Sequence, residues 1–129
     1  MDNRLRKINR MSQRAEITEM FRRARRAGDG RMMLLARRRD DADKPRSLVR
    51  CGVTVSVRHG NAVRRNRIKR LCRAAFRLEK PGLPPGFDFI IAPRIKANFD
   101  LAGFRKSLAA LAKRATKARP GEKTERANN

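Results

Sequence analysis

Tryptophan and tyrosine are absent from this chain and phenylalanine occurs only six times, so most of the aromatic planes on which unpaired bases stack are missing. Acidic residues are also scarce, 12 against 35 Lys and Arg, and none occurs between Lys44 and Leu78. Cysteine is limited to Cys51 and Cys72 and histidine to His59. With no CxxC or Cys/His spacing, a zinc site is excluded and both thiols read as small buried hydrophobes kept reduced. No apolar run approaches the roughly 20 residues that span a bilayer, and Met1–Lys7 lacks the apolar core of a secretion signal. A soluble, cytoplasmic protein is expected. The usual catalytic constellations are missing too: there is no Ser/His/Asp elbow, no phosphate-cradling Gly loop and no paired carboxylates inside a basic groove. His59 has no orienting partner in sequence and reads as a surface or RNA-contacting residue.

What is present is positive charge. A net +23 in 129 residues, with pI near 11.9, places a chain of single-domain length among nucleic-acid binders. The charge is most organised in the run Gly60 to Arg77. At about 100° per residue, Ile68, Leu71, Cys72, Ala75, Phe76 and Leu78 share one arc, while Asn66, Arg70, Arg73 and Arg77 lie opposite, flanked by Arg65, Arg67 and Lys69. A solubilising face mixes signs to gain i,i+4 pairs. One made almost wholly of Arg repels itself until an anion binds, and the guanidinium fork suits phosphate.

The remaining elements follow from periodicity. Residues 1–12 read as a basic arm, and Ile17, Met20, Phe21 and Ala24 predict a helix from Gln13 to Ala27, ended by Gly28-Asp29-Gly30. Met32–Arg37 reads as a strand and 38–46, with Asp40, Asp41, Asp43 and Pro45, as a hairpin loop. Val49–Arg58 alternates cleanly: Val49, Cys51, Val53, Val55 and Val57 on a core face, Arg50, Gly52, Thr54, Ser56 and Arg58 on a wet one. Asn61 is placed to cap the basic helix. Pro81, Pro84, Pro85 and Gly86 end it before a buried strand, Phe87–Ala92. Asn98 or Asp100 caps a last helix whose Leu101, Phe104, Leu108, Leu111 and Ala115 form the core stripe, with Phe99 as a hydrophobic staple. Phe21 reads equally as core or as a plane offered on the polar side of the central strand. The pattern is α+β, helices on a small sheet: an RNA-binding domain over 1–116, then a low-complexity, disordered tail over 117–129.

Arg50-Cys51-Gly52-Val53-Thr54-Val55-Ser56, followed by Gly60-Asn61-Ala62-Val63-Arg64-Arg65-Asn66-Arg67-Ile68-Lys69-Arg70, closely resembles the bacterial ribonuclease P protein component, with its signature GNAVxRNRxKRxxRxxFR. Arg73, Phe76 and Arg77 complete the signature, and Leu83-Pro84-Pro85-Gly86-Phe87-Asp88-Phe89 resembles the family's Pro-Gly-aromatic-Asp strand. The resemblance runs from about Leu5 to Lys117. It implies an αβββαβα domain with a four-stranded sheet and a left-handed crossover through the basic helix. It implies a protein subunit that assists a catalytic RNA in removing the 5′ leader of precursor tRNA, broadening substrate use and lowering the Mg²⁺ need. The chemistry and the Mg²⁺ would belong to the RNA, with no catalytic residue, metal or protein partner required of this chain. By the same resemblance, Asn61, Arg64, Arg65, Asn66, Arg67, Lys69, Arg70, Arg73 and Arg77 face the RNA subunit. Ile17, Phe21, Arg50, Thr54, Ser56 and Arg58 then face the leader. Two departures stand out. Ile17 replaces a Phe one turn before Phe21, so stacking there should be weaker or differently arranged. Ser56-Val57-Arg58-His59 replaces Ser-Lys-Lys, keeping a charge at Arg58. The readings from other classes are a structural, ribosome-associated RNA-binding protein and a protein-only nuclease, and the missing carboxylate cluster disfavours the second.

Overall fold

The computed structural model describes residues 9–11, 13–39 and 48–117. The elements run α1 (Arg14–Arg23), β1 (Arg25–Gly28), β2 (Met32–Arg38), β3 (Arg50–Val53), α2 (Ala62–Glu79), β4 (Phe87–Pro93) and α3 (Leu101–Thr116), the expected αβββαβα order. The strands form one mixed sheet in the order β1-β2-β4-β3, with β3 and β4 parallel and the other pairs antiparallel. α2 is thus the crossover between adjacent parallel strands.

Strand β4 sits in the middle because both of its faces are apolar. Phe87, Phe89 and Ile91 join the core made with α2 and α3, whose buried residues include Ile68, Cys72, Phe76, Phe104, Leu108 and Leu111. Ile90 points the other way, into a smaller cluster with Met20 of α1, Leu35 and Met11. A strand buried on both faces belongs inside a sheet, so β2 and β3 do not pair as the expected hairpin. Of the loop read at 38–46, Arg38 closes β2 and Arg39 N donates to Gly86 O at 2.9 Å; 40–47 lie outside the described residues, as do 1–8, 12 and 118–129.

The first helix is shorter than periodicity predicts. It ends at Arg23, Ala24 is extended, and Arg25–Gly28 forms β1 against β2. Gly28-Asp29-Gly30 is therefore a hairpin turn and not a helix end. Asp29 builds it, its Oδ1 accepting from the N–H groups of Arg31 and Met32 at 2.8 and 3.1 Å, a side-chain turn that Asp favours. The caps match expectation better. Asn61 Oδ1 accepts from Arg64 N at 2.9 Å and Asp100 Oδ2 from Gly103 N at 2.7 Å, which settles the choice between Asn98 and Asp100. Phe99 stacks on Phe104 at 5.6 Å between centroids, the staple across a helix start. Leu101 is 37% exposed and so leaves the expected stripe.

The segment 9–11 lies along the outer edge of β3. Arg10 bridges Cys51 in parallel, Met11 N donates to Cys51 O at 2.9 Å, and Asn9 Nδ2 donates to Val49 O at 2.8 Å. This covers a sheet edge that would otherwise present unpaired backbone groups. Gly52 permits it, since a Cβ there would stand 3.1 Å from Met11 O.

Candidate nucleic-acid interface

The expected strand Val49–Arg58 is regular only to Val53, with one further ladder bond from Thr54 N to Ile91 O at 3.0 Å. Beyond it the chain curls away into a 3₁₀ turn at Val57–His59. The alternation therefore stops, and Val57, expected in the core, is 74% exposed. His59, expected at the surface, is 7% exposed, with Nε2 3.0 Å from Pro93 O. Gly60 then turns at φ 127°, a left-handed conformation open to glycine, and delivers the chain to the Asn61 cap.

Along α2 the cations fall into two rows. Arg65, Lys69, Arg73 and Arg77, spaced i,i+4, are half-buried along one edge, whereas Arg64, Arg67 and Arg70 are exposed, with the neutral Asn66 exposed among them. Arg64 Nε donates to His59 O at 2.8 Å and its guanidinium lies 5.6 Å from the Phe99 ring centroid. Arg65 Nε donates to Gly60 O at 3.2 Å. Among the described residues no carboxylate pairs with any of these α2 cations. The face is thus open to phosphate.

Beside the half-buried row runs a groove of about 640 Å³. Phe21 of α1, Met33 of β2, Thr54, Ser56 and His59 after β3, Lys69 of α2, Pro93 at the end of β4 and Arg94 and Ile95 beyond it line it. A second hollow of about 490 Å³ adjoins it at Val53 and Lys69 and is lined by Arg10, Met11, Ile17, Cys51 and Arg73. Walls of Met, Val, Ile and Phe with cations at the rim suit a single-stranded chain laid with bases inward and phosphates outward. Four expected leader-facing residues, Ile17, Phe21, Thr54 and Ser56, are brought together here. Phe21 is half-buried, resting on the Met20 and Leu35 cluster with one side toward the groove, so it belongs to both readings given above. Arg26 backs it, donating to Phe21 O with its guanidinium 5.9 Å from the ring centroid.

Two of the six are placed elsewhere. Arg58 is exposed but lines neither hollow. Arg50, expected on the wet face, is 5% exposed and its guanidinium is taken up by carboxylates. Nε and Nη2 grip Asp88 Oδ1 and Oδ2 at 2.9 and 2.7 Å, and Nη2 also reaches Glu16 Oε2 at 2.9 Å. Arg37 and Arg50 are the register partners of Asp88 on either side. Arg37 and Arg39 add contacts at 3.2 Å each. Burial pushes the Asp88 carboxyl up, but the hydrogen bonds and charge of Arg50, then those of Arg39 and Arg37, hold it below the usual carboxylate range. Arg50 thus anchors α1, which carries Glu16, to the sheet. Met33, Val53, His59, Arg10 and the segment 93–95 were not legible as groove residues, and Lys69 and Arg73 were legible only as part of the helix face. The signal available for the last two was their i,i+4 row along the edge of the apolar arc.

Both thiols are buried, and desolvation pushes Cys72 up to about 12 and Cys51 higher still. Among the described residues no cluster of three or more His, Cys, Asp or Glu is placed to hold a metal ion, and no helix is long and apolar enough to cross a membrane.

The profile of the ribonuclease P family matches residues 5–116. The chain is 47% identical over 73 residues to the ribonuclease P protein component of Ruegeria pomeroyi, covering 56% of this chain and 57% of that one. It is 38% identical over 92 residues to that of Roseiflexus castenholzii, covering 69% and 72%. The fold is similar to the ribonuclease P proteins of Thermotoga maritima (TM-score 0.72, 28% identity, 84% of this chain and 98% of that one) and Staphylococcus aureus (0.71, 25%, 85% and 97%). A family profile over nearly the whole chain, on an α+β domain with the expected αβββαβα element order, leads to one conclusion: the chain belongs to the ribonuclease P protein family, the protein subunits that act with an RNA subunit in tRNA 5′ processing.

Proposed function

We propose that this chain assists a catalytic RNA in removing the 5′ leader of precursor tRNA, using two surfaces. The exposed row of α2, with Arg64, Asn66, Arg67 and Arg70, docks on the RNA subunit, and the groove beside α1 takes the leader. Lys69, Arg73 and Arg65 stand on the shared edge and serve both. Ile17, Phe21, Thr54 and Ser56 contact the leader from the groove, while Arg58 reaches RNA from its rim. Arg50 holds α1 in place through Asp88 and Glu16. The observation that carries this reading is the juxtaposition of an apolar, open groove with a helix face that has no carboxylate partner: one surface is built for bases, the other for phosphates. A ribosome-associated protein has no need of the groove.

The hydrolytic step and its Mg²⁺ belong to the RNA, in the cytoplasm. Asp88, Glu16 and Glu79 are engaged by arginines, which leaves this chain's role as binding and charge screening. Each phosphate neutralised adds about 0.7 to 0.9 to the slope of log affinity against log salt. The test is the affinity of the reconstituted holoenzyme for precursor against mature tRNA at fixed salt. Tighter binding of the leader-bearing form is expected, and equal affinity would contradict the assignment of the groove.

A further inference from the structure

Past Thr54 the strand ladder between the β3 segment and β4 ends. Thr54 N to Ile91 O is its last bond, and Pro93, the final residue of β4, has no N–H to offer. Yet Ser56, His59 and Pro93 all line the groove, and both ring nitrogens of His59 face protein oxygens, so the groove's shape at this end depends on how the two segments are held. Among the described residues, the tie is one side chain. The His59 imidazole reaches across to Pro93 O at 3.0 Å and turns Nδ1 toward Ser56 Oγ at 3.5 Å.

The rest of the turn is built around that ring. His59 N donates to Ser56 O at 3.1 Å, and Ser56 Oγ accepts from Arg58 N at 3.3 Å. The ring meets Phe99 edge-on, with centroids 6.4 Å apart and planes at 69°, and Phe99 stacks on the α3 core residue Phe104. Val57 and Arg58 on the same turn are exposed. Arg64 Nε holds the turn from α2 by donating to His59 O at 2.8 Å, and among the described residues the His59 imidazole is the side chain that ties it to β4.

We infer that His59 is a positioning residue of the leader groove: its imidazole replaces the missing ladder bond and sets the distance between the Ser56 wall and the Pro93 wall. The inference rests on the groove's being the leader site. It fixes a tautomer as well. Pro93 O can only accept, so Nε2 carries the proton.

The test uses the full chain with a bacterial ribonuclease P RNA at saturating RNA concentration, and reads the ratio of Kd for mature over precursor tRNA. His59→Leu keeps apolar bulk against Phe99 but has no donor. His59→Gln carries an amide N–H of similar reach. The ratio should fall about three- to tenfold in H59L, the span of one lost hydrogen bond, and stay within about twofold of wild type in H59Q. A long-range ¹H–¹⁵N spectrum of the wild-type chain should show the Nε2–H tautomer. A folded H59L with an unchanged ratio, even with a lowered melting midpoint, overturns the inference by leaving His59 a stability role alone. So does an H59Q that falls as far as H59L, or an Nδ1–H tautomer. If H59L does not fold, H59Q and the spectrum decide. A wild-type ratio near one would instead overturn the groove reading and this inference with it.

Discussion

Asp88→Asn removes one negative charge from a site where three arginines converge, with the carboxylate 0% exposed and the Arg39 and Arg50 side chains 4% and 6% exposed. Breaking a buried pair by deleting one partner costs about 3 to 5 kcal/mol, because the remaining charge is left desolvated. Here Glu16 still holds Arg50 at 2.9 Å, and Arg37, 28% exposed, can turn to water. The loss should lie at the low end, about 3 kcal/mol. Urea unfolding of wild type and D88N at pH 7 measures it directly, as a shift in midpoint at unchanged slope. The pH dependence gives an independent arm. The folded Asp88 titrates below its unfolded value of about 3.9, so its contribution is complete above that pH and is lost as the pH falls through the lower folded value. Wild type should lose stability faster than D88N below about pH 4, until the two curves approach each other. A D88N loss below about 1 kcal/mol with parallel acid limbs would refute the claim that this cluster holds α1 and the groove wall together.

Arg65→Ala with Arg67→Ala should weaken binding to the RNA subunit and reduce the salt slope by about 1.4 to 1.8, two phosphate contacts' worth, with an unchanged circular dichroism spectrum; an unchanged slope would move the docking face off α2. Phe21→Ala should reduce the affinity for leader-bearing tRNA by about 1 to 3 kcal/mol and leave mature tRNA unaffected, whereas loss of folding without that selectivity would make Phe21 purely core. Cys51 and Cys72, at 3% and 0% exposure with raised thiols, should resist a thiol reagent at pH 8 until the chain is unfolded by urea, and prompt labelling of the native protein would contradict their burial.

Much of the fold was legible because it is written locally. The basic helix announces itself by a single-sign face, its Asn61 cap and its Pro-Gly end, and Phe99 and Phe104 mark the start of α3 by spacing alone. What was not legible depends on contacts distant in sequence. Arg25-Arg26-Ala27-Gly28 has no strand character of its own and becomes β1 only by pairing with β2. The alternation from Val49 to Val57 continues past the point where β4 ends, so Val57 looked like core although no partner reaches it. Arg50 reads as a solvent-facing cation until Asp88 is placed beside it across the sheet and Glu16 above it. His59 is isolated in sequence because its partner, Pro93 O, is a backbone atom with no residue signature. The groove mixes residues from α1, all three neighbouring strands' ends and α2, and no single motif spans them.

The most direct measurement is cleavage of a precursor tRNA at near-physiological Mg²⁺ by the protein alone, by a bacterial ribonuclease P RNA alone, and by the two together. The account predicts efficient leader removal only by the combination, with none from the protein alone. Cleavage by the isolated chain, or no stimulation of the RNA across a range of salt and RNA types, would contradict it.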